Sequence, residues 1–157
     1  MLVEPIGIIQ TPYTSLEQMP IQPKGAKDVI SFLTIKREYA QGLKDLEGFS
    51  HIYLIYHFHQ TKRSCLEVIP FMDTVNRGVF STRSPLRPSH IGMSITELVS
   101  IHDNIVTIRG IDVLDGTPLL DIKPYIPQFD SVNQVRTGWM NKKESEVQET
   151  RSDNRFM

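Results

Sequence analysis

The residues most able to do chemistry are gathered in one segment. Between Asp73 and Glu97 there is no carboxylate, yet the stretch holds Arg77, Arg83, Arg87 and His90. A guanidinium donates two parallel hydrogen bonds to a phosphate and also stacks on bases, so this local positive patch suits an RNA loop, which offers both targets. The plain alternative is that three arginines in a polar loop face water, because surface charge is the default. Pro85 and Pro88 favour the binding reading, since they restrict the backbone and would hold Arg83 and Arg87 in place.

Two further clusters stand apart from this one. Phe58-His59-Gln60-Thr61 closes a long apolar alternation, where a strand end presents polar groups to a cleft. His57 and His59 share a face, but structural zinc usually needs four protein ligands and catalytic zinc three, so no metal is expected. The third cluster is Asp112-Val113-Leu114-Asp115-Gly116-Thr117-Pro118 with Asp121 and Lys123. Asp-Gly is a turn signal, and a carboxylate beside it can bind an amine or a ribose. Spacing does not choose between that binding role and the plain reading, a turn with Asp121 and Lys123 as a surface ion pair. No G-x-G-x-x-G, P-loop or G-x-S-x-G occurs, and nothing around Cys65 marks a nucleophile.

The elements that must position these clusters are mostly strands. Residues 6–9 read as a first strand, which Thr11-Pro12-Tyr13 ends, and Pro20, Pro23 and Gly25 make a stiff loop. Ile35, Tyr39, Leu43 and Leu46 share one face of a helix, with Gly48 placed to end it in the left-handed conformation. From His51 the period becomes two, with Ile52, Leu54, Tyr56 and Phe58 on one face. Ile91, Met93, Ile95, Val99 and Ile101 alternate with Gly92, Ser94, Thr96, Leu98 and Ser100. His102-Asp103-Asn104 then turns this strand back into 105–111 as a hairpin, and 119–122 forms a short strand behind the Asp115-Gly116 turn. The expected fold is a mostly β, small single-domain β-barrel of six or seven strands with one or two short helices, since closure hides the sheet edges. The barrel spans 1–130. A polar tail, 131–157, follows, and its 141–155 part reads as mobile or ordered only against a partner.

Composition bounds the class. With 17 basic and 18 acidic residues the net charge is −1, so affinity for nucleic acid must come from a local patch. Cys65 stands alone and can form no internal disulfide, which suits a reducing compartment. The longest apolar run, 52–56, is too short to span a bilayer, and a cytoplasmic protein without a signal peptide is expected.

In order and spacing, the clusters resemble the TsaA-like family, whose bacterial members include TrmO-type tRNA adenine N6-methyltransferases. The matching residues are Ile6-Gly7, Thr11-Pro12-Tyr13, Gly48-Phe49-Ser50-His51, Phe58-His59-Gln60-Thr61, Gly78 to Ser84, Arg87-Pro88, Ile91-Gly92-Met93-Ser94, Asp115-Gly116-Thr117-Pro118 and Asp121 to Tyr125. The resemblance implies a β-barrel enzyme, usually a homodimer, that uses S-adenosyl-L-methionine to methylate N6 of threonylcarbamoyl-adenosine beside the anticodon of tRNA. It implies a cofactor cleft lined by Gln22, Pro23, Lys24, His59, Gln60, Arg83, Asp112, Val113, Leu114 and Asp115. Arg77, Arg87 and His90 are then the candidate contacts to the tRNA anticodon loop, and His59 or His90 the first candidates if a base is used. Where the family commonly reads Arg-Pro-Asn-Pro-Ile-Gly, this chain has Arg87-Pro88-Ser89-His90-Ile91-Gly92, a change that bears on substrate choice. The resemblance also implies that larger bacterial members carry a further C-terminal domain, which a chain of 157 residues is not expected to contain. The alternatives are an RNA-binding β-barrel without chemistry, and the same enzyme fold acting on a small metabolite.

Overall fold

The computed structural model describes residues 1–19, 26–71 and 73–140. Its strands are β1 (Gly7–Gln10), β2 (Ile30–Ile35), β3 (His51–His57), β4 (Glu67–Val68), β5 (Arg77–Gly78), β6 (Ile91–His102), β7 (Ile105–Arg109) and β8 (Thr117–Pro124). Six of them close an antiparallel barrel in the order β1-β2-β7-β6-β3-β8, with β1 pairing back onto β8. The short strands β4 and β5 pair with each other outside it. Period-two patterning drives the closure, because alternate residues of every barrel strand enter one apolar interior. Ile9, Leu33, Ile35, Ile52, Leu54, Val106, Ile108 and Leu119 fill that interior and are buried.

β6 is the exception to apolar-in patterning. Its register with β3 sets Gly92 opposite Tyr56 and Ser94 opposite Leu54. Gly92, Ser94 and Thr96 face inward, while Ile91, Met93 and Ile95 face outward with 40% to 49% of their area exposed. The reason is the Tyr56 ring, which packs edge-on against Phe58 at 5.4 Å and occupies the space where a Cβ on Gly92 would stand. Only a strand with a small inward residue can lie beside that ring.

The alternating strand directions put three connections at one barrel end, where β1, β3 and β7 finish: 11–29, 58–90 and 110–116. The first two chemical clusters lie on these connections, as do Asp112 to Gly116 of the third, whose Thr117, Pro118, Asp121 and Lys123 belong to β8. Thr11 and Tyr13 meet the Asp115 turn there. The Thr11 N–H donates to Asp115 Oδ1 (3.0 Å), its hydroxyl to the Val113 carbonyl (2.8 Å), and the Asp115 N–H to the Tyr13 carbonyl (2.8 Å). Gly116 supplies the positive φ of 78° that this turn needs. The 58–90 excursion has a small core of its own, in which Val68, Val79 and Leu86 pack with Cys65.

Two expectations are corrected. The helix expected over 35–46 is instead β2 ending at Ile35, a 3-10 run over Arg37–Leu43 and a 3-10 turn over Leu46–Gly48. Asp45, and not Gly48, takes the left-handed conformation, at φ 66°. Ile35 belongs to the barrel core, so the four-residue spacing that joined it to Tyr39 was coincidence. The only α-helix among the described residues is α1 (Pro127–Asp130). The part of the tail at 141–155 lies outside the described residues.

Gly92→Ala should lower stability by about 2–3 kcal/mol, because its methyl must displace a buried aromatic ring. Urea denaturation of the variant checks this, and a midpoint equal to wild type would refute the packing argument.

Candidate functional site

A chain of three polar side chains runs from the barrel interior to the end that carries the clusters. The Tyr56 hydroxyl lies 3.0 Å from Ser94 Oγ, and Ser94 Oγ donates to Asp112 Oδ1 at 3.1 Å. Tyr56 and Ser94 are both buried, and Asp112 is half-buried where the chain leaves β7. Enclosure pushes the Asp112 carboxyl up to about 6, against the ordinary 3.8, while the Ser94 hydrogen bond and the positive charge of Arg83 act to lower it. Burial, and then the charge of Asp112, raise the Tyr56 hydroxyl, with Ser94 and Arg83 opposing. Arg83 therefore acts on both groups, although it comes from a different connection.

Arg83 is exposed on the 82–90 loop, and the rest of that loop holds itself in shape. The Ser84 N–H donates to Thr82 Oγ1 and the Leu86 N–H to Ser84 Oγ, each at 3.2 Å. Arg87 Nη1 donates to the carbonyls of Thr82 (3.1 Å) and Ser84 (3.4 Å), so this arginine braces the loop that presents Arg83. His90 Nδ1 lies 3.0 Å from the Pro85 carbonyl. A carbonyl only accepts, so Nδ1 carries the hydrogen and a neutral ring keeps Nε2 as an acceptor. His90 has φ 49°, and its N–H donates to the Arg87 carbonyl at 3.0 Å. A proline at this position could adopt neither feature.

His59 and Gln60 are exposed just beyond β3, and desolvation first and the neighbouring His57 second lower the His59 imidazole from its usual value. Val113 and Leu114 are buried core residues, so a ligand could meet them through the backbone only. Asp115 is exposed and uses one carboxylate oxygen to hold Thr11. Arg77 pairs with Asp73 at 2.7 Å and lies 5.6 Å from the Trp139 ring, whose Nε1 donates to the Ser81 carbonyl at 2.9 Å. Asp73 thus offsets part of the positive patch, and the 131–140 segment returns to the site end. Gln22, Pro23 and Lys24 lie outside the described residues. Among the described residues no three His, Cys, Asp or Glu side chains gather as a metal site would require.

Reasoning from residue types overlooked Tyr56, Ser94 and Trp139. For Tyr56 the signal was available, a hydroxyl on the apolar face of β3, whereas apolar-in alternation of β6 would turn Ser94 outward and so conceals it.

The family model for the tRNA-methyltransferase O N-terminal domain matches residues 8–131. The chain belongs to that family. It is 49% identical over 152 residues to a probable S-adenosyl-L-methionine-binding protein of Pyrococcus abyssi, covering 97% of this chain and 83% of that protein. It is 34% identical over 142 residues to the tRNA (adenine(37)-N6)-methyltransferase of Homo sapiens, covering 86% of this chain and 32% of the human one. The crystal structure of TrmO from Pseudomonas aeruginosa superposes with a TM-score of 0.75 at 35% identity, over 88% of this chain and 62% of that one. The chain thus spans less than two thirds of the solved TrmO structure and about a third of the human protein.

The raised carboxyl of Asp112 makes a stability prediction. Between about pH 4 and 6 the folded state binds more protons at this group than the unfolded chain, so stability falls as pH rises through that window and stays lower above it. Asp112→Asn removes the charge and keeps the shape. A tenfold change in proton affinity is worth about 1.4 kcal/mol, so at pH 8 the variant should be more stable than wild type by up to about 3 kcal/mol. The difference should vanish near pH 4. Denaturant melts at both pH values test this, and equal stability at pH 8 would contradict a desolvated carboxylate.

Proposed function

We propose that this chain is an S-adenosyl-L-methionine-dependent methyltransferase that modifies N6 of threonylcarbamoyl-adenosine next to the anticodon of tRNA. The observation that carries the reading is the half-buried Asp112 carboxyl, pushed up by enclosure and within electrostatic reach of the Arg83 guanidinium, which comes from another connection at the same barrel end. The donor set fits the cofactor. A guanidinium can take the methionyl carboxylate through two parallel hydrogen bonds, and a half-buried carboxylate can take the ammonium or the ribose hydroxyls. His59 and Gln60 lie on the 58–90 connection at this end. When bound, the cofactor supplies an activated methyl group on a sulfonium.

The protein's work is then alignment. Holding the acceptor nitrogen behind the methyl carbon lowers the barrier by up to about 7–11 kcal/mol where the geometry is a near-attack one. The 82–90 loop is the proposed RNA contact. The bonds to Thr82, Ser84 and Asp73 engage Nη1 of Arg87 and Nε of Arg77, and a guanidinium has five N–H donors, so both arginines retain donors for phosphate. His90 Nε2 offers an acceptor on the same loop. The name of the human relative supports tRNA as the acceptor class.

We also propose that the protein works as a cytoplasmic homodimer, in which the outward Ile91, Met93 and Ile95 of β6 are covered by a second copy. Sedimentation should give the dimer mass for wild type and the monomer mass for Met93→Lys. A monomeric wild type at high concentration would sink this part.

The function is tested with methyl-labelled S-adenosylmethionine and three acceptors: tRNA with threonylcarbamoyl, tRNA without it, and the free modified nucleoside. Label should enter the first alone, and Arg83→Ala should weaken cofactor binding at least tenfold, about 1.4 kcal/mol. Cofactor and tRNA binding without transfer would point to a binding module, and equal labelling of the nucleoside to a small-metabolite enzyme.

A further inference from the structure

The hydroxyls of Tyr56 and Ser94 form a chain with a fixed direction. Ser94 has one hydroxyl hydrogen, and an ionised Asp112 can only accept. Ser94 must therefore give its hydrogen to Asp112 Oδ1, which leaves its own oxygen as an acceptor for the Tyr56 hydroxyl. Each proton in the chain points at the carboxylate. The origin of the chain cannot shift, because the Tyr56 ring is locked edge-on against Phe58 and over Gly92. Hydroxyls buried in a mainly apolar barrel are costly to keep unless they are satisfied, and here those of Tyr56 and Ser94 satisfy each other and end on Asp112.

We propose that Tyr56 and Ser94 are positioning residues that hold the Asp112 carboxylate charged and in one orientation, leaving its second oxygen for the cationic methyl donor. The proposal rests on the methyltransferase reading for its ligand, while the control of Asp112 by the chain stands on the hydrogen bonds alone. The charged and titratable groups facing Asp112 among the described residues are Tyr56 from β3 and Arg83 from the 82–90 loop, while Ser94 from β6 is uncharged. Arg83 also favours the ionised form, so loss of Ser94 should weaken the preference for charge without abolishing it.

The experiment is calorimetric titration of S-adenosylmethionine into the full chain at several pH values from about 5 to 8.5, for wild type, Ser94→Ala and Tyr56→Phe. The carboxyl carbon of Asp112 is followed by NMR in the ligand-free proteins. Removing a hydrogen bond to a charged group should move the midpoint of the binding profile to higher pH in Ser94→Ala, by roughly 1 on the pH scale. Affinity near pH 6 should then fall by up to about tenfold, while at about pH 8.5 it approaches wild type. Tyr56→Phe keeps the ring and its packing, and should shift the midpoint in the same direction by less. The carboxyl titration should move with the binding midpoint in each variant.

A merely structural role would lower affinity by the same factor at every pH. Parallel profiles with an unmoved carboxyl titration would therefore overturn the proposal. If wild type binds no donor while Ser94→Ala still shifts the carboxyl titration, the methyltransferase reading and its cationic ligand are overturned, and the control of Asp112 by the chain is upheld.

Discussion

The ring of Tyr56 leaves no room for a side chain at position 92 of the strand beside it, and this exclusion helps to decide which face of that strand turns inward. A six-stranded barrel has a narrow lumen, so one aromatic ring at its end decides what the neighbouring strand can turn inward. β6 answers with Gly92 and the hydroxyls of Ser94 and Thr96. Its bulky residues must then point outward, and an exposed apolar strip on the barrel wall results. The interior polar chain and the exterior apolar face are two consequences of one packing contact. Because the same ring ends in a hydroxyl, the contact that fills the barrel also begins the hydrogen bonds that reach Asp112.

Much of this architecture was legible in the sequence. Strict alternation around Ile52, Leu54 and Tyr56 marked β3, and the 102–104 turn joined β6 to β7 as expected. β2 was missed, although Ser31, Leu33 and Ile35 alternate inward, because Ile35 also fitted a helical spacing with Tyr39 and Leu43. Short segments satisfy both periods easily, and only the tertiary pairing of β2 with β1 and β7 decides between them. The end of the barrel where residues converge was not legible at all. It depends on strand direction, which puts the connections that carry Arg83, His59 and Asp112, far apart in the chain, at the same end of the barrel.

For the site, residue types revealed charge but not its arrangement. A run free of carboxylates looked uniformly positive, yet Asp73 sits at its edge and reaches Arg77. Arg87 turns back to two carbonyls of its own loop. Four residues separate Arg83 from Arg87, and the two divide the labour: one braces, the other is presented. Pro85 and Pro88 help for the reason given by their chemistry, but most of the loop's shape comes from short-range bonds of Thr82, Ser84 and His90 that no spacing rule announces. The Thr11 and Asp115 motifs, by contrast, look like separate turns in the sequence and prove to be two halves of one clamp.

An enclosed carboxylate is a poor choice for stability, and its surroundings explain why it can still serve a site. Desolvation acts against the charge of Asp112 more strongly than the Ser94 bond and Arg83 act for it, so its carboxyl remains raised. A carboxylate left partly unsatisfied in the free protein gains more when a cation arrives than one already neutralised by a close ion pair. Full pairing with Arg83 would remove that gain and would also occupy the guanidinium. Arg83 instead stays exposed and acts at a distance, while Ser94 fixes one oxygen without cancelling the charge. The arrangement thus keeps a cation-seeking carboxylate and an exposed anion-seeking guanidinium within electrostatic reach of each other, a pair of opposite charges that matches the zwitterionic end of the proposed ligand.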